Sequence, residues 1–421
     1  MKVLKFGGTS VGSLRGFRNI NKILSEQKNK LLVVVSAASG STNKLLQIIE
    51  TRQQSNLVDE YIQKEKDLND TLGISSDFLE EYILELKSAS SRNQILSIGE
   101  RISMHRIYLA NGELNPKMSV SWDLDFIIEG ETLIEECKEG LISRVNSIFE
   151  TTDILITTGF IGKNTLGNIV TLNRGGGDLS AALFASALDS EELQIWSDVP
   201  GVMTCDPRMI SSAKIVKQMT YEEALELSFY GAKILHSKTV EPLVLKSIPL
   251  RVLNTFDLTC QGTLISDGVI PGNFIATGLS FQREMAIVHV SPKSKLVDNK
   301  FLMNLFSKLE MISVNCSMIS FSKTSVSFIV SKNDINKIKI QNEENAECKC
   351  TEGIAVISLV GESLHDAHGV AALLFDTINK NDTNIEMISQ SHSQTNILVA
   401  IKESRLEIIL KSLHLNFFET S

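Results

Sequence analysis

Five consecutive apolar residues, Leu31-Leu32-Val33-Val34-Val35, constrain this chain more than any other segment. A strand with no polar side must be buried on both faces, which calls for a sheet with helices above and below it. Shorter runs repeat the signal: Val3-Leu4, Asp153-Ile154-Leu155-Ile156-Thr157-Thr158 and Leu193-Gln194-Ile195-Trp196. Helical patterns separate them, the clearest being the Ala-rich stretch from Ser180 to Leu188. Residues 1 to about 265 therefore predict an α/β domain with a mostly parallel sheet. Residues 50–95 differ, being charged and helix-periodic (Glu60, Tyr61, Ile62, Lys64, Leu68, then Phe78, Tyr82, Ile83, Leu86). They predict a peripheral helical excursion that serves as scaffold.

Near 262–275 the chain carries Gly262, Gly268, Pro271 and Gly272 and few long apolar runs, as a domain boundary does. Two similar units follow. The first has a strand at Ala286–Val290, a helix near 296–310 and strands near 312–319 and 325–330. The second has a strand at Ala355–Val360, a helix Val370–Asn379, strands near 384–389 and 396–401, and a closing helix near 404–414. Each carries a polar hairpin, Ser320–Thr324 and Ser389–Thr395. A duplicated small α+β module is the expectation. The domains expected are 1–265, 266–350 and 351–421, with interleaving of the last two left open.

At 421 residues the chain is long enough for that plan. A formal net charge of −9 excludes a broad nucleic-acid-binding face. No apolar run approaches the ~18 residues of a membrane span, and the N-terminus enters a strand without a signal-peptide pattern. Six cysteines (Cys137, Cys205, Cys260, Cys316, Cys348 and Cys350) form no C-x-x-C pair and no Cys/His metal spacing. Free thiols in a cytoplasmic protein are expected. Cys348 and Cys350 would share one side of a strand, where a metal site is the weaker alternative.

Four segments carry chemistry. Lys5-Phe6-Gly7-Gly8-Thr9-Ser10 ends a strand in Lys, turns on glycines and feeds a helix. Such a turn can hold phosphate through backbone N–H groups, a helix N-terminus and a full charge. It is not the G-x-x-x-x-G-K-[ST] P-loop, because the Lys precedes the glycines. The plainer alternative is a tight turn with a surface Lys. Thr171-Leu172-Asn173-Arg174-Gly175-Gly176-Gly177-Asp178-Leu179-Ser180 places three glycines at a helix start, where their entropic cost makes sense if backbone touches a ligand. Arg174 can grip a carboxylate through two parallel hydrogen bonds. Asp178 is either functional or a simple cap. Trp196 to Arg208 is a turn-rich loop after a strand, where open α/β sheets bind ligands. Tyr230 to His236 contains Lys233, which is otherwise a solvated helix charge.

Together these segments resemble the aspartate kinase family, within the wider amino-acid kinase fold. Ser36-Ala37-Ala38-Ser39-Gly40-Ser41-Thr42-Asn43, Gly99-Glu100 and Gly159-Phe160-Ile161-Gly162 continue the match in the family's order, and the paired C-terminal units resemble its two ACT domains. The resemblance implies a three-layer α/β/α amino-acid kinase fold followed by two ferredoxin-like α+β ACT units. It implies ATP-dependent phosphorylation of the β-carboxylate of L-aspartate, with ATP and Mg²⁺ as cofactors, early in lysine, threonine and methionine biosynthesis. A carboxylate is a competent nucleophile at pH 7, so positioning and charge stabilisation suffice. Lys5, Gly7 and Gly8 would hold the transferring phosphoryl group. Asp178 would organise the centre, by orienting Lys5 or through Mg²⁺. Arg174 would clamp the substrate α-carboxylate, Glu100 would pair its ammonium, and Ser36 and Thr42 would aim the β-carboxylate beside Phe160. Ser197, Asp198, Arg208 and Lys233 would hold the nucleotide.

The chain departs from the family pattern at Asn173, Gly177, Ser197, Met203 and Ser237, none of which removes a charged catalytic group. Asn315 and Lys323 stand where lysine-sensitive relatives carry acids. An effector pocket is expected near Asn315, Ser320 and Ser322, its amino acid open between lysine, threonine and others. A homodimer is expected, or a tetramer. The alternatives are a kinase for glutamate or a related acid, and an amino-acid-binding regulator that kept the fold.

Overall fold

In a computed structural model, the described residues are 1–51, 55–89, 91–173, 175–231, 237–268, 275–340, 346–364, 367–390 and 395–419. They form two compact units. The first comprises Met1–Val202, Lys217–Tyr221 and Ile234–Gly268, and the second Met203–Val216, Glu222–Lys233 and Val269–Ser421.

The first unit is built on an eight-stranded sheet. Its strands lie in the order Gln218–Met219, Thr263–Ile265, Leu250–Asn254, Glu192–Ser197, Lys2–Phe6, Leu31–Val35, Ile154–Thr158 and Lys117–Met118. All pairings are parallel except that of Leu250–Asn254 with Thr263–Ile265. Leu31–Val35 is buried at every position, as its composition requires. On one face Leu4, Phe6, Leu31, Val33, Val35 and Ile156 pack with Phe17, Ile20 and Leu24 of the helix Leu14–Glu26 and with Met104 and Ile107 of the helix Arg92–Ala110. The helix Gly176–Ala187 covers the other face.

The register aligns Phe6 with Val35 and Trp196, and Val35 with Thr158. The residues that follow these strands therefore leave one edge of the sheet together, which is where open parallel sheets bind ligands.

The excursion forms two helices, Ser55–Leu72 and Leu79–Ser88. They share a core with the helices Ser41–Glu50 and Arg92–Ala110, built from Leu45, Ile48, Val58, Tyr61, Leu86 and Ile98. The excursion is helical, as its periodicity predicts, and is packed onto the domain through this core.

The second unit is a six-stranded antiparallel sheet ordered Met318–Phe321, Val326–Ser331, Gly278–Pro292, Ala346–Val360, Asn396–Lys402 and Ile385–Gln390. Both β-α-β-β-α modules are present, with helices Asn299–Met311 and Ile335–Ile340 in the first and Val370–Lys380 and Leu406–His414 in the second. The two central strands each run 15 residues and serve both modules. A register shift between Gln282 and Met285 marks the passage from one module to the other.

Two expectations about boundaries change. A division at 350/351 would cut the strand Ala346–Val360, so the modules are interleaved through it. Residues 1–265 also do not form one contiguous domain. Cys205 and Ile210 are apolar and buried in the same core as Leu413, Phe417 and Phe418, so their segment belongs with the C-terminal unit. The described cysteines form no disulfide, and no group of three His, Cys, Asp or Glu among the described residues could hold a metal ion. Among the same residues no helix is long and apolar enough to cross a membrane.

Candidate functional site

The edge where the parallel strands end opens into a cavity of about 470 Å³. Lys5, Ser36, Thr42, Glu100, Phe160 and Asp178 all line it, although they are spread over 174 residues of chain. Each arrives by a different element. Lys5 is the penultimate residue of the first strand, and Ser36 directly follows Leu31–Val35. Thr42 is in the first turn of Ser41–Glu50, Glu100 is mid-helix in Arg92–Ala110, and Asp178 is in the first turn of Gly176–Ala187.

Lys5 Nζ lies 2.6 Å from Asp178 Oδ1. Oδ1 is otherwise enclosed and accepts no hydrogen bond among the described residues, so the contact with Lys5 is charge on charge. The pair leaves a fixed ammonium at the cavity wall beside a helix N-terminus, both suited to an anion. Three glycines make room for it. Gly175 adopts φ +80° before the helix, a conformation that favours glycine. A Cβ on Gly176 would fall 2.7 Å from Leu172 Cβ, and one on Gly177 would fall 2.7 Å from Ser36 Oγ and 3.3 Å from Lys5 Cε. Any side chain at 177 would therefore force Ser36 to rotate.

Glu100 is buried. Its Oε1 accepts the Ala37 N–H at 3.3 Å, and its Oε2 is enclosed with no partner among the described residues. Burial pushes the carboxyl up to about 8, against the lowering effect of backbone hydrogen bonds. A buried acid with one empty oxygen is an acceptor for an ammonium that brings its own charge.

Phe160 holds φ +66°, rare for an aromatic residue. Ser180 Oγ accepts its N–H at 2.8 Å and itself donates to Gly176 O, while Leu172 N donates to Phe160 O. Strain of this kind, worth about 1–3 kcal/mol, persists where the surroundings over-determine it.

Other expected residues fare differently. Arg174 and Lys233 lie outside the described residues. Gly7 cannot donate to phosphate here, because its N–H is spent on Trp196 O at 3.0 Å. Its missing side chain instead leaves space within 3.6 Å of Lys5 Nζ. Gly8 N–H has no partner among the described residues, and a Cβ there would sit 2.7 Å from Ala37 O. In the first unit Ser197 ends its strand, its Oγ accepts Val199 N–H, and Asp198 is exposed.

In the second unit Arg208 wraps its guanidinium onto Asp206 of its own loop, Nη2 to Oδ2 at 2.7 Å, and is 74% exposed. There too a cavity of about 770 Å³ is lined by Asn315, Arg283, Asp334 and Gln282. Ser320 and Ser322 do not line it. Ser322 Oγ accepts the N–H groups of Thr324 and Ser325 in its own hairpin turn, so the expected effector trio is not gathered. Asn43 and Thr171, which lie in segments already singled out but without a role of their own, also line the first cavity, and so does Arg92, which the sequence did not single out. An isolated polar residue at a helix start gives no signal until the fold closes around it.

Residues 1–254 match the amino acid kinase family, and residues 357–417 match an ACT domain. The bifunctional aspartokinase/homoserine dehydrogenase of Buchnera aphidicola subsp. Acyrthosiphon pisum is 28% identical over 99% of this chain, which spans only 56% of that protein. The lysine-sensitive aspartokinase 3 of Escherichia coli K12 is 28% identical, with 99% of each chain covered. The crystal structure of E. coli aspartokinase III in complex with aspartate and ADP superposes with a TM-score of 0.83 at 26% identity, covering 100% of both chains.

Proposed function

The chain belongs to the amino acid kinase family, as an aspartokinase-type phosphotransferase with ACT units, and we propose that it transfers the γ-phosphoryl group of ATP to the β-carboxylate of L-aspartate. The products are 4-phospho-L-aspartate and ADP. The observation that carries the reading is a buried Glu100 with an empty oxygen and a Lys5–Asp178 ion pair, both facing one cavity. The first suits the substrate ammonium, and the second suits the phosphoryl group it receives.

A carboxylate oxygen of aspartate attacks the γ-phosphorus, the bond to the β-γ bridging oxygen breaks, and ADP leaves. No general base is needed. Lys5 neutralises charge on the transferring oxygens, held in aim by Asp178, and the Gly8 amide adds a donor. Preorganised donors of this kind are worth about 10²–10³ in rate each. Ser36 and Thr42 orient the β-carboxylate against the ring of Phe160, and Arg174 takes the α-carboxylate. Ser197, Asp198, Arg208 and Lys233 hold the nucleotide, Arg208 after releasing Asp206. Mg²⁺ would be held by Asp178 among the described lining residues and otherwise by phosphates and water, since it asks for only one or two carboxylate ligands. When bound it would supply charge neutralisation for the phosphates.

The ACT units make the enzyme a feedback-regulated step in the synthesis of the aspartate-derived amino acids. The effector enters near Asn315, and subunits associate as a homodimer. Cysteines that form no disulfide among the described residues are consistent with a reducing cytoplasm. A hydroxamate assay with ATP, Mg²⁺ and L-aspartate tests the reaction, with L-glutamate as control. Acyl phosphate from aspartate alone is expected. Turnover of glutamate alone, or of neither, rejects the proposal.

A further inference from the structure

The loop between Ser36 and Thr42 shapes the substrate side of the cavity, and it is gripped at three points from beneath. Ala37 N–H donates to Glu100 Oε1. Lys64 Nζ donates to Ser39 O at 2.9 Å. Ser41 Oγ donates to Glu65 Oε1 at 2.8 Å. The last two flank Gly40, the loop's left-handed residue at φ +80°. Adjacent residues of the excursion helix, Lys64 and Glu65, thus hold the chain on both sides of its pivot.

Glu65 is itself immobilised. Its Oε2 is 2.9 Å from Arg106 Nη2, and the same Nη2 also donates to the Glu65 carbonyl at 3.1 Å. Arg106 Nε donates to Asn69 Oδ1 at 2.5 Å. Arg106 has no exposure to solvent, and Glu65 is nearly as deep. A buried Arg–Glu pair is a poor way to gain stability, because desolvation offsets most of the attraction and apolar side chains would do as well. What it gives is a fixed geometry, with one carboxylate oxygen on the guanidinium and the other aimed at the loop. Arg106 shares its helix with Glu100, so the brace and the ammonium acceptor are parts of one rigid element.

We propose that Glu65 and Arg106 are positioning residues for aspartate, acting through Ser41 to set the loop that carries Ser36 and Thr42. The role in aspartate recognition rests on the function proposed above. The 55–72 helix is then part of the substrate site's construction although none of its residues lines the cavity.

The test uses the full chain with Ser41→Ala, Ser41→Thr and Glu65→Gln, varying aspartate and ATP separately in the hydroxamate assay. Ser41→Ala is expected to raise KM for aspartate by about three- to tenfold, the size of one lost hydrogen bond, and to leave KM for ATP within about twofold. Ser41→Thr, which keeps the hydroxyl, is expected to recover most of the loss. Glu65→Gln is expected to act in the same direction as Ser41→Ala and more strongly. A correctly folded Ser41→Ala with the parent's aspartate KM overturns the proposal, as does an equal rise in both KM values. Hydrogen exchange over residues 36–42 reads the brace without turnover. Exchange there is expected to quicken in Ser41→Ala and return in Ser41→Thr, and unchanged exchange overturns the proposal whatever the substrate proves to be. A parent enzyme that makes no acyl phosphate from aspartate rejects the proposed function alone.

Discussion

At the scale of the residue, Glu100 decides how the site responds to pH. Desolvation holds its proton to about pH 8, against the lowering effect of backbone N–H groups, its own and that of Ala37. Below that pH the free enzyme carries a neutral acid, and aspartate binding must expel a proton to form the carboxylate–ammonium pair. We expect kcat/KM for aspartate to rise about tenfold per unit as pH climbs toward 8 and to level beyond it, since kcat/KM reports the free enzyme. Glu100→Gln should flatten that profile and lower its plateau by about 10–150-fold, the worth of a hydrogen bond to a charged group. A Glu100→Gln profile parallel to the parent's would refute the assignment. The stability consequence has the opposite sense. The folded state keeps a proton that the unfolded chain releases above the ordinary carboxyl value of 4.5, so stability contributed by neutral Glu100 falls as pH rises from there through about 8. Denaturant melts of the unliganded protein across that window should show the fall, and Glu100→Gln should remove it. Lys5 offers a check on the other half of the site. Lys5→Met should cost about 10²–10³ in kcat with aspartate KM little changed, because the ammonium acts on charge that develops in transfer. A loss seen mainly in aspartate KM would move Lys5 to a ground-state role.

At the scale of the element, the start of the helix Gly176–Ala187 sets both the anion site and the Phe160 conformation. Gly176→Ala would drive a methyl to within 2.9 Å of Phe160 Cδ2 and 2.7 Å of Leu172 Cβ. Overpacking of this order costs about 1–3 kcal/mol. It should lower the melting midpoint and raise aspartate KM together, while Gly130→Ala, with nothing within 4 Å but a φ of +61°, should perturb stability alone. A Gly176→Ala enzyme with the parent's aspartate KM would detach Phe160 from the substrate. The same elements show what the chain order could reveal. Strands and glycine-rich turns were legible because their constraints are local: Leu31–Val35 has no polar side, and three glycines at a helix start demand close approach. The spent Gly7 amide was not legible, because the Trp196 carbonyl that takes it comes 189 residues later in the chain. Nor was the Glu65–Arg106 pair, because its two charges lie 41 residues apart on different helices and only the packing of those helices buries them together.

At the scale of the whole molecule, contiguity along the chain misled where packing did not follow it. The segment Met203–Val216 was assigned to the first domain by position, yet it joins the second unit through apolar residues too few to read as a core alone, Cys205 and Ile210. Polar contacts fasten it there. His414 is fully buried, its Nε2 2.9 Å from Thr204 Oγ1 and its Nδ1 2.6 Å from Glu419 Oε1, and its ring stacks on Phe418. Ser212 Oγ donates to the same Glu419 oxygen, and Lys214 Nζ donates to Phe418 O. His414→Ala would leave a ring-sized gap and take one hydrogen-bond partner each from Thr204 and Glu419, which keep Lys214 N–H and Ser212 Oγ, a loss of about 2–4 kcal/mol. Both tryptophans, Trp122 and Trp196, belong to the first unit, so tryptophan emission reports that unit while far-UV circular dichroism reports both. If each unit unfolds about its own core, His414→Ala should shift part of the dichroism transition downward by several degrees and leave the emission transition where it was. Equal shifts by the two probes would mean that the units unfold as one cooperative body and that the C-terminal staple stabilises the whole chain.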